Sequence, residues 1–277
     1  MSEGGDMRNA KNIKPIPGFK KIYPLNGYKI KEIPILGKYI SFKRLKENVD
    51  KKNIVFVSPK LWEDPFEQIY YRANYEKYSY KKPNIFCMCL TGKPTQNEAA
   101  AWKIYQDGRE KMVQIVFNVK EMLEQLDQYC LDNGLSIYIG EMKYDFSQKE
   151  IATLYKKNSK SHEDYFPDNF DDANFLNLML LKRRAFEFEN EVRIFVISNN
   201  GNTDDLYRIP FDYEAVCNLK IAPLPLKSPR QQDYGKLQKK DELNYKKKLK
   251  KLFPTLDPKQ FQQSHLYELR NFVVVEK

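Results

Sequence analysis

Hydrophobic and polar positions alternate along several short stretches of this chain, and those stretches set its predicted elements. The fullest alternation runs from Phe186 to Ile197 and closes on the turn signal Asn199-Asn200-Gly201. A period of two predicts a strand with Phe186, Phe188, Val192, Ile194 and Val196 on one face. The other face carries Glu187, Glu189, Glu191 and Arg193 before turning apolar at Phe195. Three neighbouring carboxylates repel one another, so this face either meets solvent as a Glu–Arg ladder or lines a polar site.

The globular part starts at Leu36 to Ser41, and the same reading predicts strands at Asn53 to Ser58, Ile85 to Leu90, Met112 to Phe117 and Leu135 to Tyr144. Another precedes Pro210, and Phe272 to Val275 closes the chain. Lys43 to Val49 reads as a short helix or turn. Trp62 to Glu67 reads as a loop or helix start, with Pro65 suited to a first helical turn. Thr95 or Asn97 caps a helix that places Ala99, Trp102 and Tyr105 on one face. Asn118 caps a second helix, through Cys130, which closes near Asn133-Gly134.

Residues 157–172 read as a loop, followed by a helix from about Asp172 to Arg184 with Lys182, Arg183 and Arg184 in its last turn. Pro223, Pro225 and Pro229 mark residues 219–230 as a crossing loop. A strongly basic helix covers about 236–253, with a sparse apolar set of Leu237, Leu243, Leu249 and Leu252. Pro15, Pro17, Pro24 and Pro34 make 1–35 an extended lead-in, leaving 36–277 as a single domain. Strands spread throughout and broken by about four helices imply an α+β fold of mixed or antiparallel sheets, not a regular βαβ winding.

Composition changes this picture little. Of 277 residues, 42% are hydrophobic and 14% aromatic, enough for a packed core. The net charge of +10 suits a nucleic acid, an anionic cofactor or an acidic partner, although an AT-rich genome also enriches lysine. Cys87, Cys89, Cys130 and Cys217, with His162 and His265, match no zinc spacing, so no metal is expected. Free core cysteines, a polar N-terminal segment without signal-peptide character and no apolar run near the ~20 residues of a membrane span predict a soluble cytoplasmic protein. Gly-rich phosphate loops and the Gly-x-Ser-x-Gly and His-Glu-x-x-His motifs are missing from the sequence.

Four pieces line up in order: Tyr39-Ile40-Ser41; Ser58-Pro59 through Asp64-Pro65-Phe66-Glu67; Trp102-Lys103-Ile104-Tyr105; and Lys182 to Arg193 with its Glu-x-Glu-x-Arg core. This arrangement resembles a large bacterial domain family of unknown function over about residues 36–200. Two positions depart from that pattern: Glu63 replaces the usual Asn and Phe186 the usual Trp. The layout of that family looks like that of ADP-ribosyltransferases. The resemblance implies Glu191 as catalytic glutamate and Glu189 as its helper. It implies Tyr39 and Ser41 at the nicotinamide or adenosine end of NAD, and Ser58 with Trp62, Asp64 and Phe66 near the ribose.

The chemistry is consistent with that layout. Cleavage of the nicotinamide–ribose bond passes through an oxocarbenium-like centre, which a fixed carboxylate stabilises. A second carboxylate activates the acceptor. Arg193 either neutralises a pyrophosphate oxygen or pairs with Glu191, and Tyr39, Trp102 and Tyr105 either stack on the ligand or pack in the core. On the basic helix, Lys239, Lys240, Lys246, Lys247 and Lys250 either track a phosphate backbone or form a solvated face. Three functions therefore stand together. One is an NAD-dependent transferase acting as a toxin or phage-defence effector on RNA or DNA, which implies a protective antitoxin or defence-system partner. The others are an NAD glycohydrolase and a non-enzymatic basic binding module for nucleic acid or protein.

Overall fold

The computed structural model describes residues 13–62, 64, 67, 84–94, 98–105, 110–146, 176–177, 179–198, 204–223 and 234–264. The fold is α+β, with four α-helices and a mostly antiparallel mixed sheet among the described residues. The strands are β1 (Ile22–Pro24), β2 (Ile35–Ser41), β3 (Asn53–Val57), β4 (Asn84–Thr91), β5 (Met112–Asn118), β6 (Ser136–Glu141), β7 (Lys143–Phe146), β8 (Leu181–Arg183), β9 (Glu191–Ser198), β10 (Leu206–Pro210), β11 (Val216–Ile221) and β12 (Phe261–Gln263). The helices are α1 (Phe42–Asp50), α2 (Glu98–Tyr105), α3 (Val119–Asn133) and α4 (Tyr234–Leu252).

The main path of the large sheet runs β1-β6-β9-β4-β2-β5-β11-β12, and β7 pairs with β8 apart from it. On one side β4 is paired to β9 along its full length, from Asn84↔Ser198 to Thr91↔Glu191. On the other side it meets β2 only at Gly37↔Thr91 and β3 only at Val57↔Cys87. The sheet therefore forks between those two points, beside Cys89. β10 continues the β3 branch, whereas β5, β11 and β12 continue the β2 branch.

All eight residues of β9 are buried because both faces of this central strand are covered. Val192, Ile194 and Val196 belong to the main core, with Leu123, Leu126 and Cys130 of α3. Phe195 and Ile197 point the other way, into a smaller cluster with Leu25, Met142, Leu176 and Leu180. Gly140 lets that second cover close down, since a Cβ there would lie 2.5 Å from Leu180 and 2.8 Å from Leu25.

α3 follows its sequence signals closely. The Asn118 side chain accepts from the Glu121 backbone N–H, and Gly134 takes the left-handed conformation (φ 66°) that ends the helix. α1, α2 and the strands β3, β4 and β5 also fall where the pattern predicts, and the stretch at which the globular part is expected to start is β2.

Five expectations change. The segment before residue 36 is no loose lead-in from Ile13 onward: β1 pairs in parallel with β6, and Ile22 and Leu25 are fully buried. The Asp127 carboxylate anchors this segment by accepting the Lys20 and Lys21 backbone N–H groups. Residues 181–183 form a strand rather than the end of a helix, and 184–189 form a 3-10 helix rather than the start of the Glu-rich strand. Asn190, left-handed at φ 44°, joins that helix to β9. The predicted strand from Leu135 to Tyr144 divides into β6 and β7, and β11 occupies the start of the predicted crossing loop. The turn at 199–201 and the closing strand at 272–275 lie outside the described residues. Among the described residues no helix is long and apolar enough to cross a membrane.

Candidate functional site

The Glu-rich segment carries its charges inward. Arg193 is 1% exposed and Glu191 6%, on the face of β9 that the smaller cluster covers. Burying a charge is costly unless it is paired, and here both have opposite charges in contact. Arg193 donates through Nε to Glu191 Oε1 (2.8 Å), through Nη1 to the Met179 carbonyl (2.7 Å) and through Nη2 to Glu67 Oε2 (2.8 Å). The Trp62 ring lies 4.0 Å from its guanidinium carbon. Lys182 reaches Glu189 (2.7 Å), Glu191 (2.9 Å) and Glu67 (3.2 Å) from β8. Three carboxylates thus share two cations. A second pair, Arg183 with Asp64 at 3.0 Å, lies beside it, with Phe186 under both Lys182 and Arg183.

Asn190 gives this cluster its form. Its left-handed turn ends the alternation, so Glu189 and Glu191 approach Lys182 from a 3-10 helix and a strand rather than side by side. Glu187, on the same helix, stays exposed.

The two carboxylates differ in environment. Burial alone would raise Glu191, but Arg193 and Lys182 overcome it and hold its carboxyl at about 2. It also accepts from Arg193 Nη2 (3.3 Å), so each of its oxygens takes at least one charged donor. Glu189 is raised above the ordinary carboxylate range by burial, with Glu191 and Glu67 adding to the effect against Lys182. Only its Oε2 takes Lys182, and among the described residues the other oxygen is open. Lys182 and Arg193 are themselves held protonated, because their carboxylate partners outweigh the effect of burial.

A cavity of about 180 Å³ opens at the fork of the sheet. Lys38 and Tyr39 of β2, Cys89 of β4, Tyr105 of α2, Glu189 and Glu191 are among its lining residues. Tyr39 stacks on Tyr105 (5.1 Å between centroids, 11°) and meets Trp102 edge-on (4.8 Å, 89°). The two tyrosines fill each other's faces, so no slot for a third ring lies between them. Lys38 is only partly covered as a residue, yet burial of its ammonium lowers it below the ordinary lysine range against the pull of Cys89, Cys87 and Glu191. Behind Tyr39 and Gly37, both polar atoms of the fully buried Gln114 amide and the Trp102 indole N–H lack hydrogen-bond partners among the described residues.

The structure therefore brings Tyr39, Tyr105, Glu189 and Glu191 to one cavity. Trp62 and Arg193 stand in the buried charge network, which leaves Arg193 no face for a pyrophosphate, and Asp64 belongs to the Arg183 pair beside it. The Ser41 and Ser58 hydroxyls accept the Arg44 and Lys60 backbone N–H groups as N-caps of α1 and of the turn at Pro59–Leu61. Phe66 lies outside the described residues. Sequence reasoning passed over Glu67, Lys182, Lys38 and Cys89. Glu67 and Lys182 sit inside the quoted motifs, and Lys38 is the one charge in the apolar run Leu36 to Ile40.

On α4, Lys239, Lys240 and Lys247 line a shallow groove with Lys236, Leu243 and Asn244. Lys246 instead pairs with Glu242 at 2.5 Å, and Lys250 donates to the Pro254 and Leu256 carbonyls beyond the helix end. The helix is held by Leu249, fully buried, and by the Lys111–Asp241 ion pair. The chain matches no protein-family model and no curated protein.

Proposed function

We propose that the protein is an NAD-consuming enzyme of the ADP-ribosyltransferase kind, with the fork cavity as its reaction site. One observation carries the reading: two carboxylates, one held ionised and the other raised, line the same cavity. Environments that push two carboxyls apart are the usual basis for dividing acid and base roles between them. Glu191, held by Arg193 and Lys182, is a fixed negative charge that favours an oxocarbenium centre nearby. Glu189, with an open oxygen and a raised affinity for protons, is the better base for an acceptor hydroxyl. The reactive position thus passes from Glu191 to Glu189, and Glu191 holds the charge around it. The cavity is smaller than the roughly 300–1,000 Å³ of pockets that enclose drug-sized ligands. It suits the nicotinamide-ribose end of NAD, with the remainder lying outside.

The lysine groove on α4 favours a nucleic-acid acceptor, or nucleic-acid binding without catalysis as the second reading. A toxin or phage-defence role, and the protective partner it calls for, follow from the transferase reading.

The test is incubation of the wild type, Glu189→Gln and Glu191→Gln with adenylate-labelled NAD, total RNA and cell lysate. Label transferred to RNA or protein by the wild type and lost in Glu189→Gln supports the transferase. Nicotinamide release without a labelled product means a glycohydrolase. No NAD turnover with any acceptor would leave the binding module.

A further inference from the structure

Lys38 stands apart from the other cations of the site. Arg193 and Lys182 spend their donors on Glu67, Glu189, Glu191 and the Met179 carbonyl. Lys38 lines the same cavity, and among the described residues it has neither an ion pair nor a side-chain hydrogen bond. Glu191 attracts this ammonium, but no carboxylate is paired with it among the described residues, so its donors are open to a further anionic partner. Its strand neighbours Leu36 and Ile40 are buried apolar residues that hold the strand without it. An anionic group of a ligand in the cavity would supply the direct partner it lacks there.

We propose that the fork cavity recognises a phosphate-bearing ribose ligand, with Lys38 as the residue that binds the phosphate. This rests on the transferase reading for the sugar end of the ligand alone. The cavity is bipolar. Lys38 provides the cation, while Glu189 and Glu191 are lining carboxyls already held by Lys182 and Arg193. A phosphate meets the ammonium as a point charge. A ribose hydroxyl donates to the open oxygen of Glu189. The stacked Tyr39 and Tyr105 form an apolar wall along the sugar.

The experiment is calorimetric titration of the full chain with ADP-ribose, inorganic pyrophosphate and nicotinamide riboside, the last having the sugar and ring without a phosphate. The wild type is expected to bind ADP-ribose, with pyrophosphate displacing it. Lys38→Met is expected to weaken ADP-ribose binding about tenfold to a hundredfold, the loss of one charge-assisted contact, and to leave nicotinamide riboside binding unchanged. Lys38→Arg should retain most of the affinity. Unchanged ADP-ribose affinity in Lys38→Met, or no ADP-ribose binding by the wild type, overturns the proposal. Should Lys38→Met fail to fold, the wild-type competition decides, because pyrophosphate that does not displace ADP-ribose overturns it equally. Lys38-dependent ADP-ribose binding without NAD turnover would remove the transferase reading and keep this site. NAD turnover with an unchanged KM in Lys38→Met would do the reverse.

Discussion

Two regions of this molecule are rich in charge, and they use it in opposite ways. The cluster around Arg193 gathers five charged side chains under a hydrophobic cover, each with partners of opposite sign. The lysines of α4 face solvent, and Lys239, Lys240 and Lys247 lie along one shallow groove with like charges beside them. In the sequence both are runs of ionisable residues. Their difference comes from what lies over them, since a covered charge must find a partner and an uncovered one is served by water. The first region should therefore be fragile to substitution, and the second almost indifferent in stability.

The largest effect should come from Arg193→Leu. It leaves Glu67 and Glu191 buried with Lys182 alone between them. A loss of about 3–5 kcal/mol is expected in urea unfolding. A loss under 1 kcal/mol would mean that the cluster is not the pinned core described here.

Acid should come next. The Glu191 carboxyl lies at about 2 in the folded state, below its ordinary value of 4.5. A depressed carboxyl stabilises the fold above the unfolded value and loses that contribution as pH falls through the folded one. Stability should thus drop between about pH 4.5 and 2, by on the order of 3 kcal/mol. Glu189, raised rather than lowered, works in the opposite sense: its contribution is present below its unfolded value and lost as pH rises through its folded one. Glu191→Gln should flatten the acid limb below about pH 4.5, whereas Glu189→Gln should leave that limb unchanged and remove the opposing change above it, as read from denaturation midpoints on both sides of that pH.

Asp64→Asn, at the better-solvated Arg183 pair, should cost no more than about 1 kcal/mol. A larger loss would place this pair inside the buried network. The combined Lys239→Ala, Lys240→Ala and Lys247→Ala change should leave stability within about 0.5 kcal/mol per position. If the groove binds nucleic acid, the salt dependence of RNA binding should fall by about three in slope. An unchanged slope would return the groove to an ordinary solvated face.

Much of the fold is legible along the chain. Asn118 and Gly134 bound α3, and the apolar runs of β3, β4 and β5 mark their own strands, because these signals act over a few residues. The alternation from Phe186 to Glu189 misleads for the same reason. A 3-10 helix and a left-handed Asn190 satisfy the local pattern equally well, and the choice between them depends on contacts with β7 and β8. The lead-in misleads in the opposite direction. Its prolines read as loose chain, yet β6 pairs with Ile22–Pro24 and Asp127 takes two of its backbone N–H groups.

The candidate site divides along the same line. Local order in the sequence is enough to nominate Tyr39, Tyr105, Glu189 and Glu191, through strand and helix spacing and the motif order. It is not enough to tell Glu189 from Glu191, to withdraw Arg193 from a ligand, or to bring in Lys38, Glu67 and Lys182. Those distinctions depend on which donors reach which oxygen across 126 residues of chain, as between Arg193 and Glu67. By itself the sequence determined α1, α2, α3 and β3 to β5, the caps of α3 and the charged residue types, since those follow from short-range sterics and hydrogen bonding. Only the tertiary structure decided which charges are covered, which are paired and which one is left facing a cavity, because burial and electrostatic pairing exist only once distant segments have packed.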